Sequence, residues 1–332
     1  MHLYVPVGLP LGLFVSPKYS ESLASEEITP VIGTIDDVAS HDIIKAALPL
    51  AIDIIVSTTE NTTDYVPHFQ NIVTLLWTLS IKSTANGNRP LVIFTAESKD
   101  YGVGPHVADE HGLAPHHENS NLHPPSFAIP RVQNAPKIFD NSDVFTAVLV
   151  RPTNVCGRAS SYYSVCFRAG LNAALAKDPQ QQVLVAPAQP NWICHALHVD
   201  DCGEAFVAIA SAPRERVEGE VFNISSKQFE TAEKLLTAVV AEHGIGGGVK
   251  YVDLKAAEPE MDLSLALVVG FPQWTCSQKL RSVTGWTDRR LPFSDAIHTY
   301  RLAYEAAAGL GDENVEKIGS TISSIIRTVE SP

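Results

Sequence analysis

Tyr101 closes the string Ser98-Lys99-Asp100-Tyr101-Gly102, and its phenol can work as a general acid or base. Further on, Arg131 supplies a guanidinium that is never deprotonated and whose fork suits a ribose or a phosphate. Phe127, four residues before it, cannot carry a proton. His106, Asp109, Glu110, His111, His116, His117 and Glu118 crowd one loop. Their spacing matches no His-Glu-x-x-His helix, and Gly112 and Pro115 interrupt any helix there, so the loop reads as polar and substrate-facing or solvated, with no metal. His195 and His198 flank a short predicted strand; His195 is a candidate for substrate contact and His198 reads as a satisfied core histidine. No Gly-x-Ser-x-Gly elbow is present, so a hydrolase nucleophile lacks its usual signal. The five cysteines (156, 166, 194, 202 and 276) are odd in number and include no Cys-x-x-Cys, which suits free thiols in a reducing compartment.

The elements that must position these residues follow an alternating order. Leu11–Ser16, Ile28–Gly33, Ile52–Thr58, Pro90–Thr95 and Val144–Arg151 are short β-branched apolar runs, without the in/out alternation of a half-solvated strand. Val38–Leu48, His68–Ser83 and Pro130–Phe139 lie between them and read as helices, the second with Phe69, Ile72, Val73, Leu76 and Trp77 facing the sheet. Later come a helix over Ser160–Lys177, strands over Gln182–Ala186, His195–Val199 and Val221–Ile224, and helices over Asp201–Ser211, Thr231–His243 and Asp295–Ala308. Strand–helix alternation of this kind implies a parallel sheet with crossover helices. Gly and Pro cluster between 102 and 130, a long loop of the sort that carries chemistry at the carboxyl ends of such strands. Gly244-Ile245-Gly246-Gly247-Gly248 follows a helix and precedes a strand, so it reads as a helix C-cap and loop rather than a phosphate cradle.

Composition bounds the function. The 332 residues are 45% hydrophobic and 18% charged, enough to bury a substantial core. Lys+Arg is 24 against Asp+Glu 37, a net charge of −13 with no basic block, which argues against nucleic acid. No run of apolar residues is long enough to span a membrane. The apolar start, Met1–Ser16, lacks a basic leader and carries Pro6 and Pro10, so a cytoplasmic protein is expected.

Several strings, read in order, resemble the NAD-dependent epimerase/dehydratase branch of the extended short-chain dehydrogenase/reductase superfamily. They are Gly33-Thr34-Ile35-Asp36-Asp37, Asp53-Ile54-Ile55-Val56-Ser57-Thr58, Asn71-Ile72-Val73, Ser98-Lys99-Asp100-Tyr101-Gly102 and Arg151-Pro152-Thr153-Asn154-Val155-Cys156-Gly157. His198-Val199-Asp200-Asp201, Phe222-Asn223-Ile224-Ser225, and Lys279-Leu280 followed by Gly285-Trp286 continue the series. The resemblance implies an α/β, Rossmann-like doubly wound parallel sheet with a smaller C-terminal substrate lobe. It assigns 1–154 plus 198–225 to the dinucleotide-binding domain and 155–197 plus 226–332 to the lobe and C-terminal helices. NAD or NADP is the implied cofactor, with Thr34, Ile35, Thr58, Arg131 and Pro152 beside it. Asn154, Arg158 and His195 are the implied substrate contacts, and a homodimer is the implied assembly.

The sequence also departs from that family. Leu11–Ser16 resembles its second strand, and the residues before it are too few for a strand, a Gly-rich turn and a helix. The first strand and helix are therefore expected to be missing, through shortening of the chain or through loss of the phosphate cradle. The family's Ser slot falls at Ala96–Glu97, and its Tyr-x-x-x-Lys slot fits Phe127-Ala128-Ile129-Pro130-Arg131. Tyr101, or Tyr162 or Tyr163 from the lobe, would have to replace the missing phenol. Lys18, after the second strand, leans toward the 2′-phosphate of NADP. The expectation is an NAD(P)-dependent, epimerase/dehydratase-like oxidoreductase acting on a small organic substrate in specialised metabolism. The alternative is a degenerate member that binds a metabolite or partner protein without redox chemistry.

Overall fold

The computed structural model describes residues 11–14, 19–49, 51–102, 104, 106–158, 161–178, 182–253, 263–312, 314–320 and 322. In chain order its first elements are β1 (Leu11–Phe14), α1 (Tyr19–Ser25), β2 (Thr29–Ile32), α2 (Val38–Ala47), β3 (Ile54–Ser57), α3 (Tyr65–Ala85), β4 (Leu91–Thr95) and α4 (Ile129–Asn134). The middle of the chain forms β5 (Thr146–Pro152), β6 (Asn154–Cys156), α5 (Ser164–Ala174), β7 (Leu184–Ala186), β8 (Ile193–Cys194), β9 (Ala196–His198), α6 (Val199–Ser211) and β10 (Val221–Ile224). Then follow β11 (Glu230–Thr231), α7 (Ala232–His243), β12 (Val249–Tyr251), α8 (Ala266–Val269), α9 (Gln278–Thr284) and α10 (Ile297–Gly309). Lys18 lies outside the described residues.

Four strands pair in the order β10-β5-β4-β3, all parallel, with Ile93 of β4 opposite Val56 of β3 and Val148 of β5. Side chains of β4 and β5 are buried on both faces. Val92, Phe94, Ala147 and Leu149 pack with Phe69, Ile72 and Leu76 of α3. Leu91, Ile93, Val148 and Val150 turn the other way, toward Ala205 and Ile209 of α6 and Leu280 of α9. Helices thus cover both sides of a parallel layer, which is why these runs are apolar without alternation. The doubly wound sheet expected from the sequence is present.

β1 and β2 form a separate parallel pair. Among the described residues no strand joins this pair to β3, and Val56 is left 48% exposed on a strand whose composition reads as fully covered.

Two helices differ from the sequence reading. Trp77 does not face the sheet: its side chain is partly exposed and its indole N–H donates to Asn141 Oδ1 at 2.7 Å. One position is a rotation of about 100°, enough to carry Trp77 off the stripe that Leu76 occupies. The helix expected over Pro130–Phe139 is α4 followed by a 3₁₀ stretch over Ala135–Asn141. Pro136 has no N–H to continue the α ladder and restarts the chain as a new first turn. At the other end of the molecule, α7 stops at Gly244 in the left-handed conformation (φ 66°), the C-cap that the Gly run suggested.

A third core gathers Tyr163 and Phe167 of the α5 region, Leu235, Leu236 and Val239 of α7, and Phe293, Ile297 and Tyr300 around α10. It is joined to the sheet through Asp201 in the first turn of α6. This fully buried carboxylate accepts from the backbone N–H groups of Arg289 and Arg290 and from Arg290 Nη1 at 2.6 Å. Removing it leaves two backbone N–H groups without their acceptor and takes from Arg290 one of its carboxylate partners, Glu204 remaining at 2.7 Å. Asp201→Ala should therefore cost about 3–5 kcal/mol in urea unfolding, and Asp201→Asn less, because the amide oxygen still accepts. A loss below about 1 kcal/mol would show that this junction is dispensable.

Candidate active site at the carboxyl edge of the sheet

The strands end on one side of the layer, so the loops after β2, β3, β4 and β5 converge there. A buried charge network fills the space between them. Arg131, 2% exposed, donates from Nε to Asp100 Oδ1 at 2.7 Å and from Nη1 to Glu60, and its Nη2 lies 3.2 Å from Glu97. Arg151 Nε lies 3.7 Å from the other oxygen of Asp100. Burial opposes ionisation of Glu97, but Lys99 and Arg131 outweigh it and hold its carboxyl below the usual range. Burial pushes Asp100 up to about 6, against the pull of Arg131 and Arg151.

Tyr101 is not positioned for proton transfer to a substrate. Its hydroxyl donates to Asn223 Oδ1 at 2.8 Å and accepts from Arg151, its ring stacks on His116, and burial raises its pKa. Gly102 follows at φ +93°, where a Cβ would sit 2.2 Å from the His123 carbonyl oxygen; only glycine lets the chain turn away there. Phe127 is 45% exposed.

The other sequence candidates divide. Thr34 and Ile35 follow β2, the carbonyl of Ile35 accepting from His41 Nε2, and Thr58 is exposed after β3. Pro152 ends β5, opposite Ile224. Asn154, on β6, is brought into the site: its Oδ1 accepts from Lys99 Nζ at 2.9 Å. Arg158 lies apart, largely exposed and paired with Asp200. His195 does not reach a cleft. It is buried, with Nδ1 accepting from the Thr275 N–H and Nε2 facing the Ser226 carbonyl.

The residue that sequence reasoning passed over is Lys99. Its ammonium donates to Glu97 Oε1 and Asn154 Oδ1, both at 2.9 Å, and lies 5.2 Å from the ring centre of Tyr162 and 5.9 Å from that of Phe271. Burial pushes the Tyr162 hydroxyl up to about 12, so it keeps its proton at neutral pH. Lys99 was visible inside Ser98-Lys99-Asp100-Tyr101-Gly102, but nothing in that string says that the lysine, rather than the tyrosine, faces outward.

The fold recurs in solved structures. RMD from Pseudomonas aeruginosa, complexed with NADPH, matches with a TM-score of 0.60 at 16% identity over 90% of this chain and 98% of its own. UDP-glucose 4-epimerase from Bifidobacterium longum, in complex with NAD+ and UDP, matches at 0.63 and 13% identity over 92% of each chain. dTDP-glucose 4,6-dehydratase from Bacillus anthracis, in complex with NAD, matches at 0.61 and 15% identity over 89% of this chain and 88% of its own. The chain has the fold of the NAD-dependent epimerases and dehydratases. No family model matches the sequence, and no curated protein does. Among the described residues no helix is long and apolar enough to cross a membrane, and all five cysteines are free thiols.

Behind the site, neutral histidines pin one loop. His106 Nδ1 accepts from the Trp274 N–H and His195 Nδ1 from the Thr275 N–H. Burial lowers the pKa of His106, and lowers those of His116 and His195 to about 4. A histidine whose pKa is depressed by folding adds stability above its unfolded value, near 6.5, and loses it as pH falls toward 4. The urea midpoint should therefore drop between pH 6.5 and 4, by roughly 3 kcal/mol for His195 alone, and His195→Gln should flatten that part of the profile. A midpoint constant across this window would contradict the burial of these rings.

Proposed function

We propose that the chain is an NAD(P)-dependent oxidoreductase of epimerase/dehydratase type that acts on a small organic substrate. Lys99 serves it as a charge and hydrogen-bond donor and Tyr162 as the proton donor, in place of residues 127 and 131. The observation that carries this reading is the position of Lys99. Its ammonium stands at the carboxyl edge of the sheet, fixed by Glu97 and Asn154 and faced by aromatic rings of the lobe.

The residues at this edge fit a dinucleotide. The Nη2 of Arg131 is buried and makes no hydrogen bond, because its approach to Glu97 is poorly aligned; it is a leftover donor of the kind a ribose hydroxyl satisfies. Thr34 and Ile35 after β2, Thr58 after β3 and Pro152 after β5 are the edge positions against which the rest of the dinucleotide would lie. When bound, the nicotinamide gives or takes a hydride.

The chain's own residues then manage charge and protons. Lys99 directs two of its three N–H donors to Glu97 and Asn154, leaving one for a substrate oxygen that gains negative charge. Glu97 holds that lysine in place. Tyr162, protonated at neutral pH, can give its proton to the same oxygen. Phe271 and Tyr162 cover the ammonium with apolar surface, which keeps water away and strengthens its field.

Titration calorimetry should show saturable binding of NADPH or NADH, and failure of both removes the proposal. With a panel of small carbonyl compounds followed by nicotinamide absorbance, Lys99→Met should retain cofactor binding and lose about 10²–10⁴-fold in kcat. Phe127→Tyr should leave turnover unchanged, since position 127 faces outward. A gain of activity in Phe127→Tyr would return the chemistry to the helix.

A further inference from the structure

A cavity whose lining includes neither Lys99 nor its partners lies between the start of α6, the loop after β10 and the segment 288–295. Its volume is about 380 Å³. Leu197, Phe293 and the Cys156 thiol give it apolar walls, while His198, Lys227 and Arg289 bring donors to it.

The charges on its walls do not balance locally. Asp201 is held by Arg290 and two backbone N–H groups, and Glu230 by the N–H groups of Phe293 and Ser294. Asp288 is held by Arg281 and the Lys227 N–H, and Asp295 by Lys234. Every carboxylate lining the cavity thus has its own partner. Among the described residues the Lys227 ammonium and the Arg289 guanidinium have none.

His198 supplies an independent pointer. Its side chain is 8% exposed, and Nδ1 accepts from the Asp200 N–H, which places the proton on Nε2. That Nε2–H has no partner among the described residues. It lies over Gly157 (φ +93°), where a Cβ would come within 2.2 Å of it. His198 thus lines a cavity whose walls also carry two exposed cations without ion-pair partners, so an anion seated there would meet donors from all three.

We propose that this cavity binds a small organic carboxylate, its anionic end taken by His198, Lys227 and Arg289 and its apolar body lying against Leu197 and Phe293. A monoanion suits the site better than a dianion, because Asp201, Glu230 and Asp288 stand on the same walls. The proposal is independent of the nucleotide chemistry at Lys99.

The test is calorimetric titration of the full chain with benzoate, and with inorganic phosphate as the bare anion. Benzoate should bind saturably, and at least about tenfold more weakly to Lys227→Met/Arg289→Met and to His198→Asn, with melting temperatures unchanged. Asparagine at 198 keeps an acceptor for the α6 N-terminus while removing Nε2–H, and the double variant touches only side chains without partners. Absence of benzoate binding, equal binding to the double variant, or tighter binding of phosphate than of benzoate would each overturn the proposal.

Discussion

A guanidinium enclosed by three carboxylates holds the working edge of this protein together. Arg131 reaches from α4 to Glu60 on the loop after β3 and to Glu97 and Asp100 on the loop after β4. Taking such charges out of water costs several kcal/mol per ion, and the cost is offset only when each finds a partner in good geometry. Arg151 and Lys99 complete the balance, three cations against three carboxylates. The network therefore fixes the loops after β3 and β4 and the helix α4 relative to one another, which parallel strands alone would leave independent. Glu97, held at its centre, in turn fixes Lys99.

A single clamp behind the site locks the same edge to the loop at 273–277. Ser98 Oγ donates to Gln273 Oε1, and Gln273 Nε2 returns a bond to the Ser98 carbonyl. Ser225 and Ser277 share a hydrogen bond, the carbonyl of Thr275 accepts from Ser225, and that of Cys276 accepts from Asn223. His106 and His195 complete the clamp as neutral acceptors. Protonating either ring removes an acceptor and buries a charge, so this loop is the acid-sensitive part of the scaffold. Tyr101 belongs to this clamp through Asn223, which explains why its phenol is unavailable to a ligand.

In the proposed reading the charged donor sits at the end of a strand rather than on a helix, and this has a chemical consequence. An ammonium beside a carboxylate and an amide acts as a hydrogen-bond donor, whereas a tyrosine activated by a lysine can cycle a proton. In the proposed reading Tyr162 comes from the lobe and Lys99 from the sheet, so the two meet only when the lobe is seated.

The sequence by itself determined the layer: apolar runs such as Leu91–Thr95 and Thr146–Pro152 are too uniformly hydrophobic for anything but a sheet covered on both faces. It also pointed to the strands' carboxyl ends and named Asn154, which the fold brings against Lys99. It could not tell which side chains at that edge point inward. Tyr101 and His195 read as functional because of their types, yet tertiary packing gives their polar atoms to Asn223 and Thr275. Lys99 carried no role in the sequence until the fold brought Asn154, 55 residues away, to its ammonium beside Glu97. The cavity beside His198 was equally invisible, because an unpaired charge is defined by the absence of neighbours, and neighbours are decided by the fold.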